Sequence, residues 1–351
     1  VSRAQSSQAR AAPIPKLKKP WLVQAIESRW YASPGWLYGL LPLEFLFRFI
    51  SILRKGFLHR RRWHSTLPVI IVGNISVGGT GKTPVLIALI KHLQAAGFHP
   101  GVISRGYGRS FGKLCVVSPQ SRASEVGDEP LEIVNQTACP VVVSSSRVEA
   151  AQYLQQHQLC TVIVADDGLQ HYRLGRNIEI AVVDGEAGFG NGHCLPVGPL
   201  REPVSRLASV HYVLASGRVA ACPSAYLFDV QPKWLVNVKT GAKESLQFLR
   251  ALRSPIAVAG IGKPDKLFNT LKRVLFDKGG GTLECYGFAD HHAFSLKDFE
   301  FAGNRPVIMT AKDAVKCAAF AQKNWWYLSV EAKLSDEFLQ VLLTDIKQAA
   351  T

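Results

Sequence analysis

The run Gly73-Asn-Ile-Ser-Val-Gly-Gly-Thr-Gly-Lys-Thr-Pro84 brings glycines, one lysine and a threonine hydroxyl together at the spacing of a phosphate-binding loop. Gly78, Gly79 and Gly81 give the backbone the freedom to curl its N–H groups around phosphate oxygens. Lys82 would reach the β- and γ-phosphates, and the Thr83 hydroxyl would hold Mg²⁺. The nucleotide-binding run is therefore Ser76, Val77, Gly78, Gly79, Thr80, Gly81, Lys82 and Thr83. The strict pattern has glycine where Ser76 stands, so this is a variant loop. Such a loop needs an acidic partner at the end of a neighbouring strand. The apolar run Thr161–Ala165 ends in Asp166-Asp167-Gly168. Asp166 is placed to bind Mg²⁺ directly or through water, with Asp167 sharing that work or orienting the loop.

These residues need a frame to hold them. Val69–Val72 reads as a buried strand entering the loop, and Pro84–Ala96 as the helix leaving it, with its positive end on the phosphates. Further strands are expected at Val102–Ser104, Val141–Ser144, Ile178–Val183 and Val210–Leu214, with helical stretches such as Val148–Gln155 between them. Alternation of this kind implies an α/β fold: a P-loop NTPase-like parallel sheet sandwiched by helices. Near residue 225 the rhythm changes. Ala225–Val230 and Trp234–Val238 read as two short strands parted by Gln231-Pro232-Lys233, forming a two-stranded hinge to a second, smaller α/β lobe. That lobe is expected to use Ile256–Ala259, Asp265–Phe276, Thr282–Tyr286, Val307–Thr310, Lys312–Phe320, Trp326–Val330 and a final helix from Ser335. The expected organisation is a basic tail (1–20), a membrane-associated helical segment (21–62), the P-loop core (63–224), the linker (225–240) and the C-terminal lobe (241–351).

The chain has 351 residues, 47% of them apolar, which is ample for two cores and excludes wholesale disorder. Its net charge of +15 suggests nucleic acid until it is located: residues 1–62 carry twelve Lys/Arg against Glu27 and Glu44, or +10 of the total. A nucleic-acid-binding ATPase would cluster that charge on its folded body, so no nucleic-acid partner is expected. The seven cysteines are scattered with no Cys-x-x-Cys pair, which supports neither a disulfide framework nor a zinc ribbon.

Trp36–Leu53 is an eighteen-residue, mostly apolar stretch followed by Arg54, Lys55 and the Arg60–Arg62 cluster. Its eleven Leu/Ile/Phe are nearly offset by Glu44 and Arg48, because each central charge costs about 2.5–3.5 kcal/mol. On a helix, Glu44, Arg48, Ser51 and Lys55 make one stripe, and Leu43, Leu46, Phe47, Ile50 and Leu53 a broad apolar face. This is the pattern of a helix lying in a membrane interface with its basic cluster on anionic phospholipid. The competing arrangement packs that apolar face on the protein's own core. Partitioning-type ATPases also combine such a loop with an amphipathic helix, but their signature lysine before Gly78 is Val77 here.

Taken in order, GNISVGGTGKTP (73–84), SRGYGR (104–109), GDEP (127–130), DDGLQHYRL (166–174), LPVGPLREP (195–203), GIGKP (260–264) and FADHHAF (288–294) resemble the tetraacyldisaccharide 4'-kinase family of Gram-negative bacteria. The resemblance covers roughly residues 30–345. It implies transfer of the γ-phosphoryl of ATP, with Mg²⁺, to the 4'-hydroxyl of a tetraacylated disaccharide 1-phosphate, giving lipid IVA in lipid A biosynthesis. The implied partner is that lipid A precursor, and the implied place is the cytoplasmic face of the inner membrane. Beside the resemblance, Asp128 in Gly127-Asp-Glu-Pro reads either as a helix N-cap or as a general base for the sugar hydroxyl. His291 is the histidine offered to share that proton, although spacing does not separate it from His292. Arg105 and Arg109 have forked donors suited to substrate or nucleotide phosphates, and Glu202 is a further candidate metal ligand. Thr310-Ala311-Lys312-Asp313 departs from the family's Thr-Glu-Lys-Asp.

Overall fold

The computed structural model describes residues 21–109, 112–276 and 283–350. The expected basic tail, 1–20, lies outside them. The chain divides into two compact units: residues 19–233 with 329–351, and residues 234–328.

The first unit opens with α1 (Trp21–Trp30), a single-turn stretch at Gly35–Leu40 and α2 (Leu41–His59). Its sheet uses β1 (Val69–Gly73), β2 (Pro100–Ser104), β3 (Cys115–Val117), β4 (Val141–Val143), β5 (Val162–Asp166), β6 (Ile178–Val183) and β7 (Tyr212–Ala215). The order is β7-β6-β1-β5-β2-β4-β3, parallel except for β3. The helices between these strands are α3 (Lys82–Ala95), α4 (Ala123–Val126), α5 (Asp128–Thr137) and α6 (Arg147–Gln156). Every residue of β1, β2, β4, β5 and β6 is buried, so both faces of this sheet are covered. Ile71, Ile103, Leu154, Ile163 and Leu169 belong to its core.

The second unit begins within β8 (Tyr226–Asn237), continues through β9 (Lys243–Glu244), α7 (Phe248–Ala251), β10 (Ile256–Ala259), α8 (Pro264–Leu275), β11 (Glu284–Gly287), β12 (Val307–Thr310) and α9 (Ala311–Cys317), and ends within β13 (Trp325–Leu334). Its parallel strands run in the order β11-β10-β12-β13. One cluster of its core gathers Phe294, Phe299 and Trp325, and another gathers Leu267, Phe268 and Leu271.

Two expectations change. The two short linker strands are one: β8 runs without a break through Pro232, which lies between the residues paired to β7 and those paired to β9. Proline is admitted where a strand has no ladder bond to donate. The second strand of the connection is β13, by which the chain returns. The last helix, α10 (Asp336–Ala350), belongs with the P-loop unit and not with a 241–351 lobe. Phe338 packs on Tyr212 and Tyr226, and the Tyr212 hydroxyl donates to Asp345 at 2.5 Å.

Helix α2 turns its expected apolar face outward and not onto the protein's core. Glu44 is buried, and Phe47, Ser51, Lys55 and Leu58 are partly covered, so they form the side turned to the protein. The row Phe45, Phe49, Leu53 and Phe57 is 56–65% exposed. The polar stripe docks except for Arg48, which is exposed, and most of the apolar face stands in the open; Phe47 is the one member of the expected apolar face that turns inward.

Candidate active site

The phosphate loop occupies the place where parallel strands leave their C-terminal ends, the usual ligand side of an open α/β sheet. Strand β1 pairs with β5 so that Val72 stands opposite Asp166, which brings the Asp166-Asp167 turn beside the loop's first residues. Gly73 is required there, because a Cβ would come within 2.8 Å of Leu169. Gly78 and Gly81 take φ of +107° and +84°, and Gly81 caps α3 in the left-handed region. Inside the turn, the buried Asn74 amide donates to the Thr80 hydroxyl at 3.2 Å.

Lys82, the first residue of α3, lies 3.3 Å from Asp167 Oδ1, and Arg201 donates to Asp167 Oδ2 at 2.9 Å. Burial works to raise the pKa of Asp167, but Lys82 and Arg201 outweigh it and hold the carboxyl down to about 2. Asp166 is 3% exposed. It accepts from the Ser104 hydroxyl at 3.0 Å, and Arg147 donates to its backbone carbonyl at 3.1 Å. Burial, then Glu129 and Asp167, push the Asp166 carboxyl upward against the pull of Lys82 and Arg147. His171 is pushed down to about 3, first by burial and then by Arg147, so it is neutral near pH 7.

Asp128 is the first residue of α5 and is buried; Gly127, with φ of +93°, takes the cap position. The Asp128 carboxylate accepts from the backbone N–H of Glu129 at 3.0 Å. A Cβ on Gly127 would meet Gly106 at 2.9 Å, so the Arg105–Tyr107 turn and the start of α5 are pressed together. Arg105 is exposed at that turn.

Several expected residues are spent elsewhere. The Val77 N–H donates to the Pro199 carbonyl at 2.8 Å, and Ser76 bridges to Leu200, so neither backbone is turned to a phosphate. Of the expected run this leaves Gly78, Gly79, Thr80, Gly81, Lys82 and Thr83 as the candidates for holding phosphate. Arg109 places its fork on the carbonyls of Gly112 and Lys113, bracing its own loop. Glu202 is buried, accepts from Gln170 at 2.8 Å and from the Tyr172 hydroxyl, and faces Arg206. Its oxygens are engaged without a metal. The supports that sequence reasoning missed are Ser104, Arg147 and Arg201. Each acts across 19–62 positions of chain, which local spacing does not reveal.

In the second unit, His291 has φ of +58° and its Nε2 lies 3.4 Å from Lys312 Nζ. Lys312 is also 3.8 Å from Asp290. His292 is different: its ring packs on Phe288 and Phe294, and Nε2 lies 3.4 Å from Asp298. Asp313 is fully buried, accepting from the Gly260 N–H at 3.0 Å and the Thr310 hydroxyl at 2.7 Å, with Lys316 at 2.8 Å. Ala311 is buried too, so the family's glutamate is replaced by a residue that leaves no charge to satisfy.

The profile of the family described as Tetraacyldisaccharide-1-P 4'-kinase matches residues 36–347. A tetraacyldisaccharide 4'-kinase of Psychromonas ingrahamii is 46% identical over 326 residues, 91% of this chain and 98% of that protein. One of Shewanella oneidensis is 43% identical over 333 residues, 93% of this chain and 97% of that protein. Among solved structures, LpxK from Aquifex aeolicus in complex with ATP is similar with a TM-score of 0.74 at 25% identity, covering 90% of this chain and 99% of that one. A phosphate loop with its lysine and paired aspartates, in a chain matched from end to end in sequence and in fold, leads to one assignment: the chain belongs to the tetraacyldisaccharide-1-P 4'-kinase family.

Proposed function

We propose that the chain transfers the γ-phosphoryl group of ATP to the 4'-hydroxyl of a tetraacylated disaccharide 1-phosphate, at the cytoplasmic face of the inner membrane. The observation that carries the reading is the meeting of Lys82 with Asp167, beside Asp166, at the mouth of the phosphate loop. Backbone N–H groups of Gly78–Thr83 hold the phosphates, and Lys82 turns from Asp167 to the γ-phosphate as ATP arrives. Arg201 keeps Asp167 paired when Lys82 leaves. Asp128 accepts the hydroxyl proton as the sugar oxygen bonds to the γ-phosphorus and the bond to ADP breaks. Arg105 binds phosphate at the rim.

The donor set suits Mg²⁺. Asp166 is a buried carboxyl whose pKa is pushed upward by its surroundings, the situation a nearby divalent cation reverses. Thr83 and Asp166 would hold the ion, with Asp167 beside them, and when bound it supplies charge neutralisation on the β- and γ-phosphate oxygens.

Helix α2 brings the enzyme to its lipid. The stretch 35–59 is long enough to cross a bilayer, and an eighteen-residue window within it has a mean hydropathy of 1.5. Its docked side favours lying in the interface instead. Glu44 is bonded to Cys194 near one end, and Lys55 sits 5.3 Å over the Tyr172 ring near the other. A helix held at both ends along the body of the protein presents its outward row to the membrane surface, with Arg54, Arg60 and Arg61 on anionic headgroups.

The test is incubation of the purified protein with γ-labelled ATP, Mg²⁺ and the tetraacyl disaccharide 1-phosphate. Label in a lipid that has gained one phosphate supports the reading. Label released only as inorganic phosphate refutes it.

A further inference from the structure

Helix α2 turns its apolar residues outward, yet it buries one carboxylate. Glu44 is 4% exposed. Its Oε1 accepts from the backbone N–H of Cys194 at 2.9 Å, and its Oε2 meets His193 Nδ1 at 2.9 Å. The His193 ring is in turn met edge-on by Tyr38. Burying a carboxylate costs free energy that an apolar residue at this position would not, so docking the helix does not by itself call for glutamate.

The segment that Glu44 grips leads to the phosphate loop. Residues 193–201 fold back on themselves: Leu195 N–H donates to Leu200, Leu200 N–H to His193, and Gly198 N–H to Cys194. The returning arm lies along the loop. The Pro199 carbonyl accepts from Val77 N–H at 2.8 Å, and Arg201 N–H donates to the Ile75 carbonyl at 2.7 Å. Arg201 then reaches Asp167. The same segment is tied to α1, where the Trp30 indole donates to Pro196 and Asn191 N–H donates to Trp30. An unbroken set of hydrogen bonds thus joins one side chain of the lipid-facing helix to Ile75, Val77 and Asp167.

We propose that Glu44 is a positioning residue for phosphoryl transfer. By fixing the 193–201 hairpin, it holds the Ile75–Val77 end of the phosphate loop and the Arg201–Asp167 pair in place. Support of this kind decides how well a site is organised, because small displacements of a phosphate-holding loop are costly. The inference rests on the kinase reading of the loop. Its test uses nucleotide binding by the full chain without lipid, so the two fail separately.

The variant is Glu44→Leu, which removes both bonds and leaves the helix at least as apolar. ATP binding, steady-state kinetics, partition to anionic vesicles and amide hydrogen exchange are measured on each protein. The expected result is vesicle binding no weaker than the parent, with ATP affinity and kcat lowered by about tenfold or more and faster exchange at the Val77 amide. Glu44→Gln, whose amide oxygen still accepts from Cys194, should restore ATP affinity to within about threefold. Should Glu44→Leu not accumulate folded, His193→Ala removes one bond from a partly exposed partner and should show the same pattern to a smaller degree. Unchanged ATP affinity, kcat and Val77 exchange would overturn the proposal. So would a defect confined to vesicle binding or to the KM for lipid, since Glu44 would then only dock the helix.

Discussion

Replacing Phe45, Phe49 and Phe57 together by serine should detach the protein from membranes while leaving its fold and its nucleotide site intact. These rings are 65, 59 and 56% exposed, and with Leu53 they make an i,i+4 row along α2. A phenylalanine side chain of ~200 Å² exposed by three-fifths offers ~120 Å² to a lipid phase. At ~25 cal/mol per Å², that is ~3 kcal/mol per ring for complete removal from water. A helix half-sunk in the interface gains about half of this, so three rings contribute ~4–5 kcal/mol, or roughly a thousandfold in partition. Serine and phenylalanine have similar helix propensity, so α2 itself should survive. Sedimentation with anionic phospholipid vesicles reads the partition, calorimetry reads Tm, and ATP binding in detergent reads the site. A triple variant that still partitions within about threefold of the parent would refute the interfacial helix. A large fall in Tm would instead show that the rings pack on protein.

Lys82→Ala should lower kcat by about a hundredfold or more, since the γ-phosphate loses its nearest point charge; a single-turnover assay within about threefold of the parent would remove this loop from the chemistry. Asp128→Ala should lower kcat by about 10²–10⁴-fold with ATP affinity little changed. His291→Ala should lower kcat as well, and a kcat within about threefold of the parent would remove His291 from the chemistry. His171 supplies a pH test. Its folded pKa, about 3, lies below the ordinary histidine value of 6.5, so the unfolded chain binds the extra proton and stability falls as pH drops from 6.5 toward 3. The slope is up to about 1.4 kcal/mol per pH unit. His171→Gln should flatten that slope by one proton in urea titrations at several pH values, and an unchanged slope would mean that His171 protonates equally in both states.

The chemistry of the phosphate loop and of the Asp166-Asp167 turn was legible because both lie in short runs whose residue types have few other uses. The alternation of strand and helix was legible for the same reason, since buried parallel strands leave continuous apolar runs such as Val162–Ala165. What escaped depends on distance along the chain. No local spacing tells that Arg201 lies on Asp167, that Arg147 braces the Asp166 turn, or that Val77 has given its N–H to Pro199. Periodicity found the two faces of α2, but a helical wheel is the same whether the protein or the solvent side takes the apolar one, and only the structure shows it turned outward. Pro232 was read as a break, yet β8 runs through it, between the residues paired to β7 and those paired to β9.

The division of the chain carries a consequence for its synthesis. Residues 234–328 interrupt the P-loop unit, which is completed only by 329–351. Chains emerge from the ribosome N-terminus first, so α2 is available to a bilayer before the loop that binds ATP exists. The interrupting unit follows, and α10 arrives last, when Phe338 reaches Tyr212 and Tyr226 and Asp345 receives the Tyr212 hydroxyl. A chain that stopped before α10 would leave the Tyr212 and Tyr226 rings without Phe338, so the seam beside β7 closes only when translation is complete.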